Sequence, residues 1–221
     1  MYGPLEEHPE MAREFAKIVS PDDAPNFANK YGLLGLKHLH GEEDVWTWLG
    51  EATILRRAFR LWDLIDTGEN RELAKLIEWQ DSSVLLKIDG LKFPIANWLE
   101  YGDWVPKWKR GDVLGPAKLW IIRSYNEKMI GKASPTVLLS ATGEFKPYTT
   151  PLNLLAAMWA LYGKVITGNR RERPCEICGE RLDVTENRKH KRVHDSCSLR
   201  ERMKRYRLKK KGGKDGKTKT R

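Results

Sequence analysis

Cysteine is scarce in this 221-residue chain: there are three, an odd number and too few for a disulfide framework. Long apolar runs are missing too. The longest nearly unbroken one, Leu154 to Tyr162, covers nine residues, against the roughly 18 to 20 that a membrane-crossing helix needs. The first thirty residues lack a basic start followed by a long apolar stretch, so secretion is not indicated and the cytoplasm is the expected compartment. No self-similarity at a period of about 20 to 50 residues points to a repeat architecture. Hydrophobic residues make up only 40%, yet nine Trp, seven Tyr and five Phe supply a buried core, which excludes wholesale disorder.

Acidic residues are thin in the last quarter. Residues 170–221 hold twenty basic and eight acidic side chains, a surplus of twelve, whereas residues 1–169 are nearly neutral with twenty basic and twenty-two acidic. So lopsided a charge implies a polyanion-binding region joined to a neutral body, and nucleic acid is the commonest intracellular polyanion. The expected organisation is a mainly helical body over 1–169, a metal-braced module with a basic helix over 170–211, and a disordered basic tail over 212–221, where Lys, Gly and Thr stand without apolar residues.

Within the body, Val45, Trp48, Leu49, Ala52, Leu55, Phe59, Trp62 and Ile65 recur every three or four residues and predict one amphipathic helix over 44–66, stopped by Gly68. A shorter helix is expected over 69–79. Ser82-Ser83 breaks it, and residues 84–88 and 91–95 flank Asp89-Gly90, the signature of a tight β-hairpin. Pro116 can start a helix through Ile130 carrying Leu119, Trp120, Ile122 and Ile130, and residues 136–139 read as a short strand between Pro135 and Gly143. Thr150 as N-cap and Pro151 at the first helical position open a last body helix, with Leu155, Met158, Leu161 and Val165 inward and Gly168 at its close; Arg170 to Pro174 then reads as a charged linker.

No catalytic constellation emerges from the body. Gly163-Lys164 lacks the glycine five positions earlier that a phosphate loop requires, since Met158 stands there. His38 and His40, followed by Glu42, Glu43 and Asp44, offer divalent-ion ligands without fixed geometry, and the acidic run equally suits a helix start. Trp104 and Trp108, with Lys107, Lys109 and Arg110, form a conceivable base-stacking platform, although packing is the commoner use of such tryptophans.

The specific signal lies downstream. Cys175-Glu176-Ile177-Cys178-Gly179 is a knuckle in which two thiolates two residues apart can meet one cation, with Gly179 easing the backbone past the second sulfur. His194 and Cys197, three apart at a helix start, complete a closed tetrahedral set for one structural zinc ion; His190 can replace His194 if the intervening hairpin is shorter. A helix capped by Asp195 or Ser196 is expected from Cys197 to about Lys210, with Leu199, Met203 and Tyr206 packing inward. Arg200, Lys204, Arg207 and Lys211 then form an outward ridge, with Arg202, Arg205 and Lys209 beside it, placed for phosphates or a major groove. Metal binding supplies the folding energy that so small a segment cannot draw from a core.

A helical body ending in the segment Pro151-Leu152 to Leu161-Tyr162, then a Cys-x-x-Cys-Gly knuckle, then a basic helix, resembles the bacterial CGNR or ABATE-type zinc-finger proteins, described as stress-induced transcriptional regulators. The resemblance is carried mainly by residues 150–210. Cys175, Cys178 and Cys197 match family ligands; His194 stands where the family has Cys, and Ser198-Leu199-Arg200 follows Cys197 in place of the Cys-Gly-Asn-Arg string. The patterns above make the expected fold α+β, a mainly helical body with a small β-hairpin and a C-terminal finger with a basic helix; a treble-clef-like build for that finger is what the resemblance implies. The resemblance further implies that the finger binds DNA and that the body senses a protein or small-molecule effector. On the charge and ligand pattern, the expected function is zinc-dependent DNA binding in transcriptional regulation, without catalysis, duplex DNA being favoured over RNA and no membrane being involved. RNA or ribosome binding is the alternative. A zinc-braced nuclease comes third, for which the candidates within residues 178–197 are Asp183, Glu186, Asn187, His190, His194 and Asp195.

Overall fold

Two short helices, α1 (Met11–Phe15) and α2 (Asp23–Tyr31), precede the long predicted helix α3 (Val45–Asp66) in the computed structural model, which describes residues 8–36, 43–97, 108–139, 145–169, 171–184 and 192–212. The three are joined by aromatic packing: Phe15, Phe27 and Trp48 form a triangle with ring centroids 5.2 to 6.0 Å apart. Asp44 caps α3, accepting from the amides of Trp46 and Thr47 at 3.2 and 3.0 Å. Its end is also as predicted. Gly68 takes φ +72°, the Gly68 amide donates to the Ile65 carbonyl and the Glu69 amide to Leu64, so two carbonyls left open by the last turn are satisfied. The buried stripe of α3 runs through Trp48, Ala52, Leu55 and Phe59 as expected, but continues through Ala58 and Leu61, leaving Trp62 and Ile65 half-exposed.

After α3 the chain forms α4 (Asn70–Leu76) and a three-stranded antiparallel sheet of β1 (Ile77–Trp79), β2 (Ser83–Ile88) and β3 (Leu91–Asn97), in the order β1-β2-β3. The helix expected over 69–79 thus stops three residues early. Ile77, Glu78 and Trp79 find ladder partners in Leu86, Leu85 and Val84, and the Trp79 indole donates to the Asp112 carbonyl at 3.0 Å, so pairing outweighs helix continuation. The β2–β3 hairpin turns where predicted, Asp89 and Gly90 both adopting positive φ (53° and 74°), the backbone of a type I′ turn.

Helix α5 (Leu114–Met129) packs on α3 and β3. It begins two residues ahead of Pro116, because the Asp112 carboxylate accepts from the amides of Leu114 and Gly115. Its inner face is accordingly Ala117, Ile121 and Ser124, while Ile122 and Ile130 are exposed. Strands β4 (Ala133–Leu139) and β5 (Phe145–Pro151) form a separate antiparallel pair in which Thr150 lies opposite Ser134 and Pro151 opposite Ala133. Thr150 therefore belongs to a strand and does not cap α6 (Leu154–Ile166); Asn153 does, its side-chain oxygen accepting from the Ala156 amide at 2.8 Å. The predicted inner residues Leu155, Met158, Leu161 and Val165 are all buried, as are Trp159 and Tyr162. Tyr162 fixes α6 to α3: its hydroxyl donates to the Ala58 carbonyl at 3.0 Å and its ring meets Phe59 edge-on at 4.9 Å. Burial pushes that hydroxyl's pKa well up, keeping it a neutral donor.

The chain divides into two compact units, Met1–Gly163 and Lys164–Arg221. In the second, β6 (Glu172–Pro174) and β7 (Arg181–Asp183) pair antiparallel with Pro174 opposite Arg181, and α7 (Asp195–Gly212) follows. Residues 172–174, expected in a linker, form a strand because residues 175–180 turn the chain back for Arg181–Asp183 to pair with it. The whole is mixed helix and antiparallel sheet, an α+β arrangement. Among the described residues no helix is long and apolar enough to cross a membrane.

Candidate metal centre and basic helix

The knuckle begins as the chain leaves β6. The Cys175 amide donates to the Glu180 carbonyl at 2.8 Å and the Gly179 amide to the Cys175 carbonyl at 2.9 Å, a tight loop that brings Cys178 back beside Cys175. Gly179 takes φ +74°, a left-handed conformation strained for a residue with a side chain. The second half of the site is tied on by the Glu176 amide, which donates to the Arg192 carbonyl at 3.0 Å. Helix α7 then presents its first turn, with the Ser198 amide donating to the His194 carbonyl at 2.9 Å.

These elements bring Cys175, Cys178, His194 and Cys197 together, their donor atoms all within 4.8 Å of one another. Zinc–sulfur bonds of about 2.3 Å in a tetrahedron place sulfurs about 3.8 Å apart, so closure on one ion asks for shifts of about an ångström or less. Three thiols and an imidazole are the donor set of a closed, four-coordinate zinc site, and the residues present fit that ion. Cys175 and Cys197 are buried, His194 is half-buried and Cys178 is exposed. His194 turns Nδ1 toward the Cys178 sulfur at 3.5 Å and Nε2 toward the Arg181 carbonyl at 3.2 Å. Since a carbonyl only accepts, Nε2 carries the proton and Nδ1 keeps its lone pair for a cation.

The thiols are unequal. Burial, the largest single influence on Cys175, opposes its ionisation. Hydrogen bonds from the backbone around Cys178, Ile177 and His194, with one from the Cys178 side chain, outweigh burial and hold the thiol down at about 6. Cys197 is pushed upward, first by burial and then by the neighbouring Cys178 and Cys175. One cysteine is thus ready as a thiolate near neutrality, while Cys197 needs a cation to release its proton.

Among the described residues this is the group of metal-ligand types that converges. His190, the alternative ligand, lies outside them, as do His38, His40 and Glu42. Glu43 accepts from the amides of Leu34 and Leu36 and from the Trp48 indole, and Asp44 caps α3, so both have structural work. Gly163 sits within α6 against Tyr125, where an added Cβ would lie 2.8 Å from the ring; its smallness serves packing. Trp104 and Lys107 lie outside the described residues, and Trp108 is half-buried. Of the residues considered for a nuclease, Asp183 lies in β7 and Asp195 opens α7, while Glu186 and Asn187 are not among the described residues.

Helix α7 carries Arg200, Arg202, Lys204, Arg205, Arg207, Lys209 and Lys211 in its backbone span. The side chains of Arg200, Arg202 and Lys204 are exposed. The expected inward stripe is corrected here: Leu199, Met203 and Tyr206 are 61%, 48% and 63% exposed. Cys197 decides this. At about 100° per residue, Leu199 stands about 200° round the helix from Cys197, so burying the ligand turns the apolar stripe outward. Sequence periodicity showed the stripe but not which side the ligand would take.

No protein-family profile, curated protein or solved structure matches the chain.

Proposed function

We propose that residues 170–211 form a zinc-dependent nucleic-acid-binding finger of treble-clef-like build, that duplex DNA is its preferred partner over RNA, and that the protein regulates transcription without catalysis of its own. The observation that carries this is the junction at α7, where a Cys₃His donor set sits at the start of a helix whose exposed side chains include Arg200, Arg202 and Lys204. Zinc supplies closure of the small unit: bound by Cys175, Cys178, His194 and Cys197, it holds the knuckle against the helix. The helix then offers guanidinium and ammonium groups to phosphates, and arginine can also bond guanine edges in pairs. The body, Met1–Gly163, is the part left to sense an effector or partner.

Selection from a random duplex-DNA pool with zinc-loaded protein, at about 0.15 M salt where nonspecific phosphate binding is already weakened, tests the reading. A recurrent enriched sequence supports a regulator. Retention without enrichment, together with a large preference for RNA of equal length at the same salt, replaces it with the RNA- or ribosome-binding alternative.

A further inference from the structure

Resting on the reading of α7 as a duplex-binding helix, we infer that its groove-facing edge is the apolar ridge Leu199–Met203–Tyr206, and that this ridge recognises thymine methyl groups in the major groove. The three side chains fall at i, i+4 and i+7, a single line along the helix, and all three are uncovered. Leaving such a line bare costs solvation unless a partner covers it. Charge says what that partner is. Arg200 lies on one flank of the ridge and Arg202 on the other, both exposed, while Lys204 falls on the Cys197 side of the helix beside Glu201. Arg202 is braced by a hydrogen bond to the Ser198 hydroxyl at 3.3 Å. The opposing charges are few: Asp195 precedes the ridge by one turn and Glu201 lies on the Cys197 side of the helix.

An apolar line flanked on both sides by cations is complementary to a groove walled by two phosphate strands with apolar groups on its floor. The major groove admits a helix, and among the base edges exposed there thymine alone presents a methyl. A second copy of the same helix would set like charges against each other. The ridge spans about 10 Å, or about three base pairs, and Cys197 on the opposite side of α7 leaves it clear of the metal site.

The test uses the full zinc-loaded chain and two short random-sequence duplex DNA pools, identical except that one carries uracil wherever the other carries thymine, so phosphate number and pairing are unchanged. Fluorescence anisotropy should show weaker binding to the uracil pool, by about fourfold for each thymine methyl that the ridge would otherwise cover. Leu199→Ala with Met203→Ala should bind both pools and shrink the difference to what Tyr206 alone contributes; these side chains are 61% and 48% exposed, so the fold does not depend on them. Equal affinity of the unaltered chain for the two pools overturns the inference while leaving duplex binding in place. Failure to bind either pool overturns the underlying duplex reading and the inference with it. So does tighter binding to duplex RNA, whose deep, narrow major groove does not admit the ridge.

Discussion

The Arg181 backbone carbonyl, 3.2 Å from His194 Nε2, decides which nitrogen of that ring is offered to the three sulfurs. The residue that ends the knuckle loop and begins β7 thereby orients a ligand thirteen positions later in the chain. Replacing His194 with Ala should lower zinc affinity by on the order of 10² or more, since it removes a ligand outright, where loss of an outer partner alone typically costs 10- to 100-fold. His194→Cys should restore much of it with a fourth thiolate. Competition against a chromophoric chelator measures both, and unchanged affinity in His194→Ala would exclude this residue as a ligand.

Cys175→Ala or Cys178→Ala should unfold the small unit while leaving the body intact, because metal affinity is here folding energy. The sequence provides a clean reporter: all nine tryptophans lie within residues 46–159. Near-ultraviolet circular dichroism from tryptophan should therefore stay unchanged in either variant while zinc stoichiometry falls from one to zero. Loss of the tryptophan signal would show that the two units do not fold independently.

Removing the cap of α6 should be felt at Asn153 and not at Thr150. Asn153→Ala deletes an acceptor for the Ala156 amide and should cost about 1 kcal/mol, read from denaturant midpoints. Thr150→Ala removes only an exposed hydroxyl that donates to Thr136 and should cost less. Equal effects would restore Thr150 as the helix start.

What the sequence disclosed and what it hid follow one physical line. Features set by local chemistry were legible: the helix start at the acidic run that ends in Asp44, the stop at Gly68, the Asp89-Gly90 turn, and the Cys-x-x-Cys knuckle with its His-Cys partner. Features set by a distant partner were not. Ile77 to Trp79 continue a helical pattern yet are drawn into a ladder by Val84 to Leu86, and Thr150-Pro151, a helix start by its residue types, is held in a strand by Ala133 and Ser134. The α7 stripe shows the same limit: its periodicity is local, but its direction depends on where Cys197 is anchored.

Phosphate contacts along α7 should appear in the salt dependence of DNA binding. Arg200→Ala and Lys204→Ala, at exposed positions, should each weaken binding and reduce the slope of log affinity against log salt by about one. Unchanged slopes would place the interface elsewhere.

The central claim is that zinc held by Cys175, Cys178, His194 and Cys197 makes the chain competent to bind nucleic acid. It is tested most directly by measuring duplex-DNA affinity at about 0.15 M salt for the zinc-loaded protein, after chelation, and after zinc is returned. The account predicts loss of binding on chelation and recovery with one equivalent of zinc; zinc-free protein that binds duplex DNA as tightly as the loaded form would contradict it.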